Sequence, residues 1–169
     1  TKAVADVFDY ERIAAPSGEA AAEGGYIATF GDVLVLVGGE VNGNATSEIR
    51  VLTVTGSDAD WSSAGVLPSP RAFGATAVAE GAMILVGGRS TDGAPLSDVL
   101  RLDVASDRVA IEMLPSLPKA LEGASSIVHD GKLYVVGGID NEKNDSRFNK
   151  SFWFLDLQDT ESGWQSLPD

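Results

Sequence analysis

Residues Val33–Gly43 read VLVLVGGEVNG, and the same pattern returns twice, as AMILVGGRSTDG over Ala82–Gly93 and as KLYVVGGIDNE over Lys132–Glu142. Each copy is a hydrophobic run that stops at a glycine pair. The pairs Gly38/Gly39, Gly87/Gly88 and Gly137/Gly138 lie 49 and then 50 residues apart. A constant period of this length marks an array of one supersecondary unit, in which no copy buries its own apolar faces and neighbours must stack. Chance glycine turns would not keep the spacing. The pair also predicts close backbone approach, because only glycine leaves room where a strand ends against its neighbour.

The repetition extends on both sides of the glycines. Before each pair stands GYIATF, GATAVAE or ASSIVHD, and after it EIRVLTV, DVLRLDV or SFWFLDL. Period-two patterning bounded by Gly, Asp, Asn and Pro predicts half-buried antiparallel strands, and no segment carries a sustained 3.6-residue period. A fourth strand is predicted in DWSSAGVLP, RVAIEMLP and GWQSLP, with Trp61 and Trp164 as packing aromatics and Ile111 or Met113 in that place in the second unit.

This unit resembles the kelch repeat, whose copies are each one four-stranded blade of a β-propeller. The expected fold is therefore all-β, with blades over residues 24–68, 73–118 and 123–168. The opening FDYERIAAP places Tyr10 where Trp61 and Trp164 stand and Pro16 where Pro68 and Pro168 stand. Residues 7–14 thus read as a fourth strand without a blade of its own, belonging to a blade elsewhere in the ring. Three blades and one orphan strand predict half of a six-bladed ring, with the remaining blades as structural partners.

Composition narrows the function. A net charge of −13 disfavours nucleic acid and anionic membrane, both of which need a positive patch. No apolar run is long enough to span a bilayer. The absence of cysteine removes thiolate nucleophiles, disulfides and Cys-ligated zinc, and fits either the cytoplasm or an oxidising compartment. One histidine, His129, stands at the turn end of its strand beside Asp130-Gly131, so no His-rich metal site or catalytic histidine is expected, nor a copper-radical oxidase with Cys, Tyr and His ligands. The oxygen-rich run Asp140, Asn141, Glu142, Asn144 and Asp145 lacks the spacing of a calcium loop. Asn44, Asn144 and Asn149 each open an Asn-X-Ser/Thr triplet, which matters only where secreted proteins are glycosylated.

The wording between repeats is similar to a narrower group. WSSAGVLPSPRAFGATAVAEGAMILVGG, LSDVLRLDV, LPSLPKALEGASSIVHDGKLYVVGG and FWFLDLQDTESGWQSLP resemble the bacterial sialic acid mutarotase (N-acetylneuraminate epimerase) family, in particular its cyclically permuted branch. The resemblance covers nearly the whole chain. It implies interconversion of the α and β anomers of N-acetylneuraminic acid, a small-molecule sugar acid, with no cofactor and no metal. One departure falls in the first loop, where Glu40, Val41 and Asn42 replace an Ala-Asn-Phe-Pro-like stretch.

Candidate site residues follow from aligning the repeats. Glu23, Ala72 and Glu122 fall at one position just before strand one, and Arg71 one step earlier in the middle blade. In a propeller these lead-ins and the loops after the glycine pairs gather at one mouth. A sugar acid requires a cation for its carboxylate, which the planar fork of Arg71 supplies. Mutarotation requires one group to take the anomeric hydroxyl proton and another to protonate the ring oxygen, roles open to Glu122 and Glu23. Glu40, Arg89, Arg147 and Asn149 are further rim candidates for substrate binding. The plainer readings stand beside these: Arg71 in SPRAFG braces a neighbouring blade, the carboxylates are solvated turn residues, and the rim belongs to a non-catalytic kelch module that binds a protein or glycan.

Overall fold

A computed structural model describes residues 22–55, 58–104, 108–140 and 148–167. The predicted orphan strand at 7–14 lies outside the described residues. The first sheet holds β1 (Tyr26–Phe30), β2 (Val33–Val37), β5 (Glu48–Thr55) and β6 (Asp58–Val66), in the order β1-β2-β5-β6. β3 (Glu40–Val41) and β4 (Asn44–Ala45) form a short hairpin after the first glycine pair. The second sheet runs β7 (Ala75–Ala79), β8 (Ala82–Val86), β9 (Val99–Val104) and β10 (Val109–Leu114). The third runs β11 (Ser125–His129), β12 (Lys132–Val136), β13 (Phe152–Asp156) and β14 (Gln165–Ser166). All pairings are antiparallel, and within each sheet the strands follow chain order, the β3–β4 hairpin being an insertion between β2 and β5, which makes each sheet a meander and each repeat a blade.

Local chemistry explains the hairpins. Ala79 pairs with Ala82 and His129 with Lys132, leaving two-residue turns at Glu80-Gly81 and Asp130-Gly131. All four turn residues have positive φ, the conformation a type I′ turn needs to match the twist of its strands. Asn42-Gly43 does the same for β3–β4, with φ of 51° and 78°.

The core lies between the blades. One apolar cluster joins Tyr26, Ala28, Val35, Val37, Ile49 and Val51 of the first sheet to Met83, Leu85, Leu100 and Leu102 of the second. Another joins Ala75, Ala77, Ala79, Ile84, Val86 and Val99 of the second sheet to Leu133, Val135, Trp153 and Leu155 of the third. The middle blade is therefore covered on both faces, and all five residues of β8 are buried. Alternation disappears there for the reason it disappears in any doubly covered strand.

Backbone hydrogen bonds lace the seams at repeat-equivalent places. Gly39 N donates to Arg71 O at 2.9 Å, and Gly88 N to Leu121 O at 2.8 Å. A Cβ on Gly38 would come within 2.5 Å of Arg71 O, and one on Gly87 equally close to Leu121 O. These are the close approaches that the glycine pairs predict. Phe73 N donates to Gly24 O and Gly123 N to Phe73 O, at 2.8 and 2.7 Å, linking the three lead-ins.

The fourth strands differ from expectation. β6 is a long strand with a register shift near Ile49/Arg50, whereas β14 spans two residues after a 3₁₀ turn at Thr160–Ser162. Of the two aromatic substitutes proposed in the second blade, Ile111 packs at the seam core and Met113 is 57% exposed. Register decides between them: Trp61 stands opposite Leu52 and Ile111 opposite the equivalent Leu102.

Candidate functional site

Above each glycine pair the chain makes one short ladder. Glu23 bridges Glu40, which pairs with Ala45; Ala72 bridges Arg89, which bridges Pro95; Glu122 bridges Ile139, which bridges Phe148. Reciprocal backbone bonds of 2.6 to 3.0 Å close the Glu23–Glu40, Ala72–Arg89 and Glu122–Ile139 rungs. Directly opposed residues share a face of the pair, so the three ladders display their side chains in a row across the blades.

Arg89 is the hub of that row. Its Nη2 lies 3.0 Å from Glu40 Oε2 in the first blade, and its Nε 3.7 Å from Glu122 Oε2 in the third. The guanidinium carbon sits 4.4 Å from the centre of the Phe73 ring. A Cβ on Gly24 would strike that same ring, so Phe73 is held between the Gly24 backbone and Arg89. Phe73 itself has a φ of 57°, a left-handed conformation that costs a non-glycine residue energy and places its ring at the junction. The arginine side chain is about one-third exposed, and the Glu40 and Glu122 side chains about one-fifth. Oε2 of Glu122 is inaccessible to solvent and accepts no hydrogen bond among the described residues.

Arg71 occupies a different environment. It is 1% exposed, with Nη2 at 3.0 Å from both Ser69 Oγ and Asp98 Oδ2, while Nε and Nη1 are buried without hydrogen-bond partners among the described residues. Its backbone is fixed on both sides, N to Thr46 O and O to Gly39 N. Here the bracing reading describes the contacts: Arg71 ties the lead-in of the second blade to the first and to Asp98. Tyr26 lies nearby, donating its hydroxyl to Gly87 O at 2.8 Å across the same seam. Burial holds the Tyr26 phenol well above its usual range, an effect partly offset by the Arg71 charge and a backbone hydrogen bond at Gly74.

The other candidates divide. Glu23 is exposed and joins the row through its bridge to Glu40. Asn149 is committed to the loop, with Nδ2 donating to Gly137 O at 3.2 Å and Oδ1 accepting from Ser151 N at 3.4 Å. Arg147 lies outside the described residues. The structure thus brings Glu40, Arg89 and Glu122 together and sets Arg71 apart from them. Phe73 escaped sequence reading; the available signal was an aromatic in RAFG at the position that Gly24 and Gly123 hold in the other blades. Among the described residues, no group of three or more acidic or histidine side chains is arranged to hold a metal ion, and no helix is long and apolar enough to cross a membrane.

The comparisons agree with this architecture. The profile of the KLHDC2/KLHL20/DRC7 Kelch-repeats domain matches residues 24–168. The chain belongs to the kelch-repeat family. Among curated proteins, Adagio protein 3 of Arabidopsis thaliana is 27% identical over 143 residues, covering 81% of this chain and 23% of that protein. Among solved structures, that of YjhT superposes with a TM-score of 0.66 at 16% identity, covering 87% of this chain and 46% of that one. At this identity the likeness is one of fold. The chain accordingly spans less than half the length of either protein it is similar to.

Proposed function

We propose that the ring to which these blades belong is a cofactor-independent sugar-acid mutarotase acting on N-acetylneuraminic acid, with blades bounded at 24–68, 73–118 and 123–168. The observation that carries the reading is the Glu40–Arg89–Glu122 row, a cation between two carboxylates drawn from three successive blades. The resemblance of the inter-repeat wording to the sialic acid mutarotase family supplies the substrate class.

In this reading Arg89 takes the role that sequence gave to Arg71. Its planar donors bind the sugar carboxylate, exchanging part of the contact with Glu40. Glu122 takes the proton of the anomeric hydroxyl as the bond from the anomeric carbon to the ring oxygen breaks. A second donor, with Glu23 or water as candidates, protonates the ring oxygen. Rotation about the exposed carbon and the reverse transfers give the other anomer, with no net change of protons or electrons. Glu40 orients Arg89, and the remaining blades complete the mouth.

A second reading is a non-catalytic kelch module that binds a protein or glycan. It draws on a specific feature: the row is already internally paired and carries one net negative charge, which suits ligand hydroxyls or amines better than a carboxylate. The kelch profile and the Adagio match are equally at home with it.

Anomer exchange of N-acetylneuraminic acid, followed by NMR with the intact protein, separates the two. The mutarotase reading expects acceleration over buffer, a lower kcat for Glu122→Gln, and a higher KM with little change in kcat for Arg89→Ala. No acceleration by the intact protein leaves the binding module.

A further inference from the structure

Gly24, Phe73 and Gly123 hold one position in the three lead-ins, with φ of 62°, 57° and 63°. One chain of hydrogen bonds fixes them, Phe73 N donating to Gly24 O and Gly123 N to Phe73 O. The packing of the blades thus imposes a left-handed backbone at this position, whichever side chain it carries. Glycine adopts it freely. Phenylalanine there costs conformational energy, and a residue held in so strained a backbone points to a use for its side chain.

The repeats show what that use is. The rung residues after the glycine pairs are Glu40, Arg89 and Ile139, and the one blade with a guanidinium in its rung is the one with an aromatic lead-in. The Arg89 guanidinium carbon lies 4.4 Å from the centre of the Phe73 ring, and a Cβ on Gly24 would come within 2.5 Å of Phe73 Cδ1. Ring and guanidinium form one unit. We propose that Phe73 is the positioning residue of the rim: its ring holds Arg89 in the placement that serves two carboxylates and still offers one donor to a ligand. Nη2 meets Glu40 at 3.0 Å and Nε faces Glu122 at 3.7 Å. Nη1 has no partner among the described residues and is the donor left for an acceptor oxygen of a ligand. Without the ring, a partly exposed arginine in two loose ion pairs would spread over its rotamers. The aromatic face removes that freedom by attracting the weakly hydrated cation. The inference rests on reading Arg89 as the group that meets the ligand, but it concerns the placement of Arg89 before any ligand arrives.

The test therefore needs no ligand, and its outcome does not depend on N-acetylneuraminic acid being the substrate. In the intact protein, ¹⁵N-labelled at arginine, the Arg89 Nε–H signal is assigned by its loss in Arg89→Lys, and its exchange with solvent is followed by NMR. Phe73→Gly, which installs the residue of the other two blades, should speed that exchange about tenfold, the scale of a partly desolvated cation–π contact. Arg101, whose Nε donates to Asp103 Oδ2 at 3.3 Å away from the rim, should keep its rate. Phe73→Tyr restores the ring and should return Arg89 to the native rate. An Arg89 rate unchanged by Phe73→Gly overturns the proposal. Equal acceleration of Arg101 overturns it by showing general loosening, and a Phe73→Tyr rate as fast as that of Phe73→Gly removes the ring from the account. Phe73→Ala isolates the strain, because it loses the ring yet keeps a Cβ on the left-handed backbone. Its denaturation midpoint should lie below that of Phe73→Gly, the reverse of the usual order for these residues. A midpoint at or above that of Phe73→Gly contradicts the strain on which the inference stands.

Discussion

Arg71, in the lead-in to the second blade, and Arg89, within that blade, are 18 residues apart, yet the first is buried in a seam and the second is partly exposed at the rim. Arg71 is clamped by Asp98 and Ser69, and its backbone is used on both sides by the first blade. Arg89 spans from Glu40 to Glu122 with Phe73 beneath it. The lesson is one of placement within the repeat. The residue before the lead-in rung turns into the seam, whereas the residue after the glycine pair stays in the rung and projects from it. A guanidinium in the first place is buried against its seam partners, and in the second it stays partly open to solvent.

The largest expected effect tests the buried half of that contrast. Asp98→Ala leaves a desolvated guanidinium without its counter-charge and should destabilise the intact protein by about 3–5 kcal/mol in denaturant unfolding. Arg71→Met should cost clearly less, because the Asp98 side chain, about one-third exposed, can rehydrate. An Asp98→Ala loss no greater than that of Arg71→Met would break the assignment of Arg71 as a brace.

Tyr26 sharpens the seam further. Tyr26→Phe removes the hydrogen bond to Gly87 O and should cost about 1 kcal/mol. Because burial raises the phenol's value in the folded state, its contribution is complete below the ordinary tyrosine value of about 10 and is lost as pH rises above it. Thermal unfolding from pH 8 to 11 should therefore fall more steeply for the native residue than for Tyr26→Phe. Parallel curves would remove Tyr26 from the seam's energetics.

The smallest stability effect belongs to the rim. The Arg89 ion pairs are partly exposed, and Arg89→Ala should change unfolding by about 1 kcal/mol or less. A larger loss would make Arg89 a second brace and erase the distinction.

Much of this architecture was legible from spacing. The glycine pairs fixed the period, the DG turn fixed a hairpin, and alternation located β1, β7 and β11. What escaped were features that depend on a neighbouring blade. β8 loses its alternation because both faces are covered, and the β3–β4 hairpin has Asn42-Gly43 as its turn signal but no counterpart among the strands repeated in all three copies. At the site, aligning the repeats put Glu23, Ala72 and Glu122 on one rung, but no pattern along the chain distinguishes Arg71 pointing into the seam from Arg89 reaching across it. Arg71 stands one residue off the Ala72–Arg89 rung, and an offset of one residue inverts the direction of a side chain. Phe73 was hidden for a related reason: it breaks the glycine consensus of its position, and only its left-handed backbone brings the ring under Arg89.

The role proposed for Arg89, rather than Arg71, in reading a carboxylate at the rim is tested by comparing calorimetric affinities for N-acetylneuraminic acid and its uncharged 1-amide. For the intact protein the acid should bind about tenfold more tightly than the amide, the difference expected of a charge-assisted hydrogen bond. Arg89→Ala should bring that ratio to about one, while Arg71→Met should leave it unchanged. A preference for the acid that survives in Arg89→Ala, or disappears in Arg71→Met, would contradict the account.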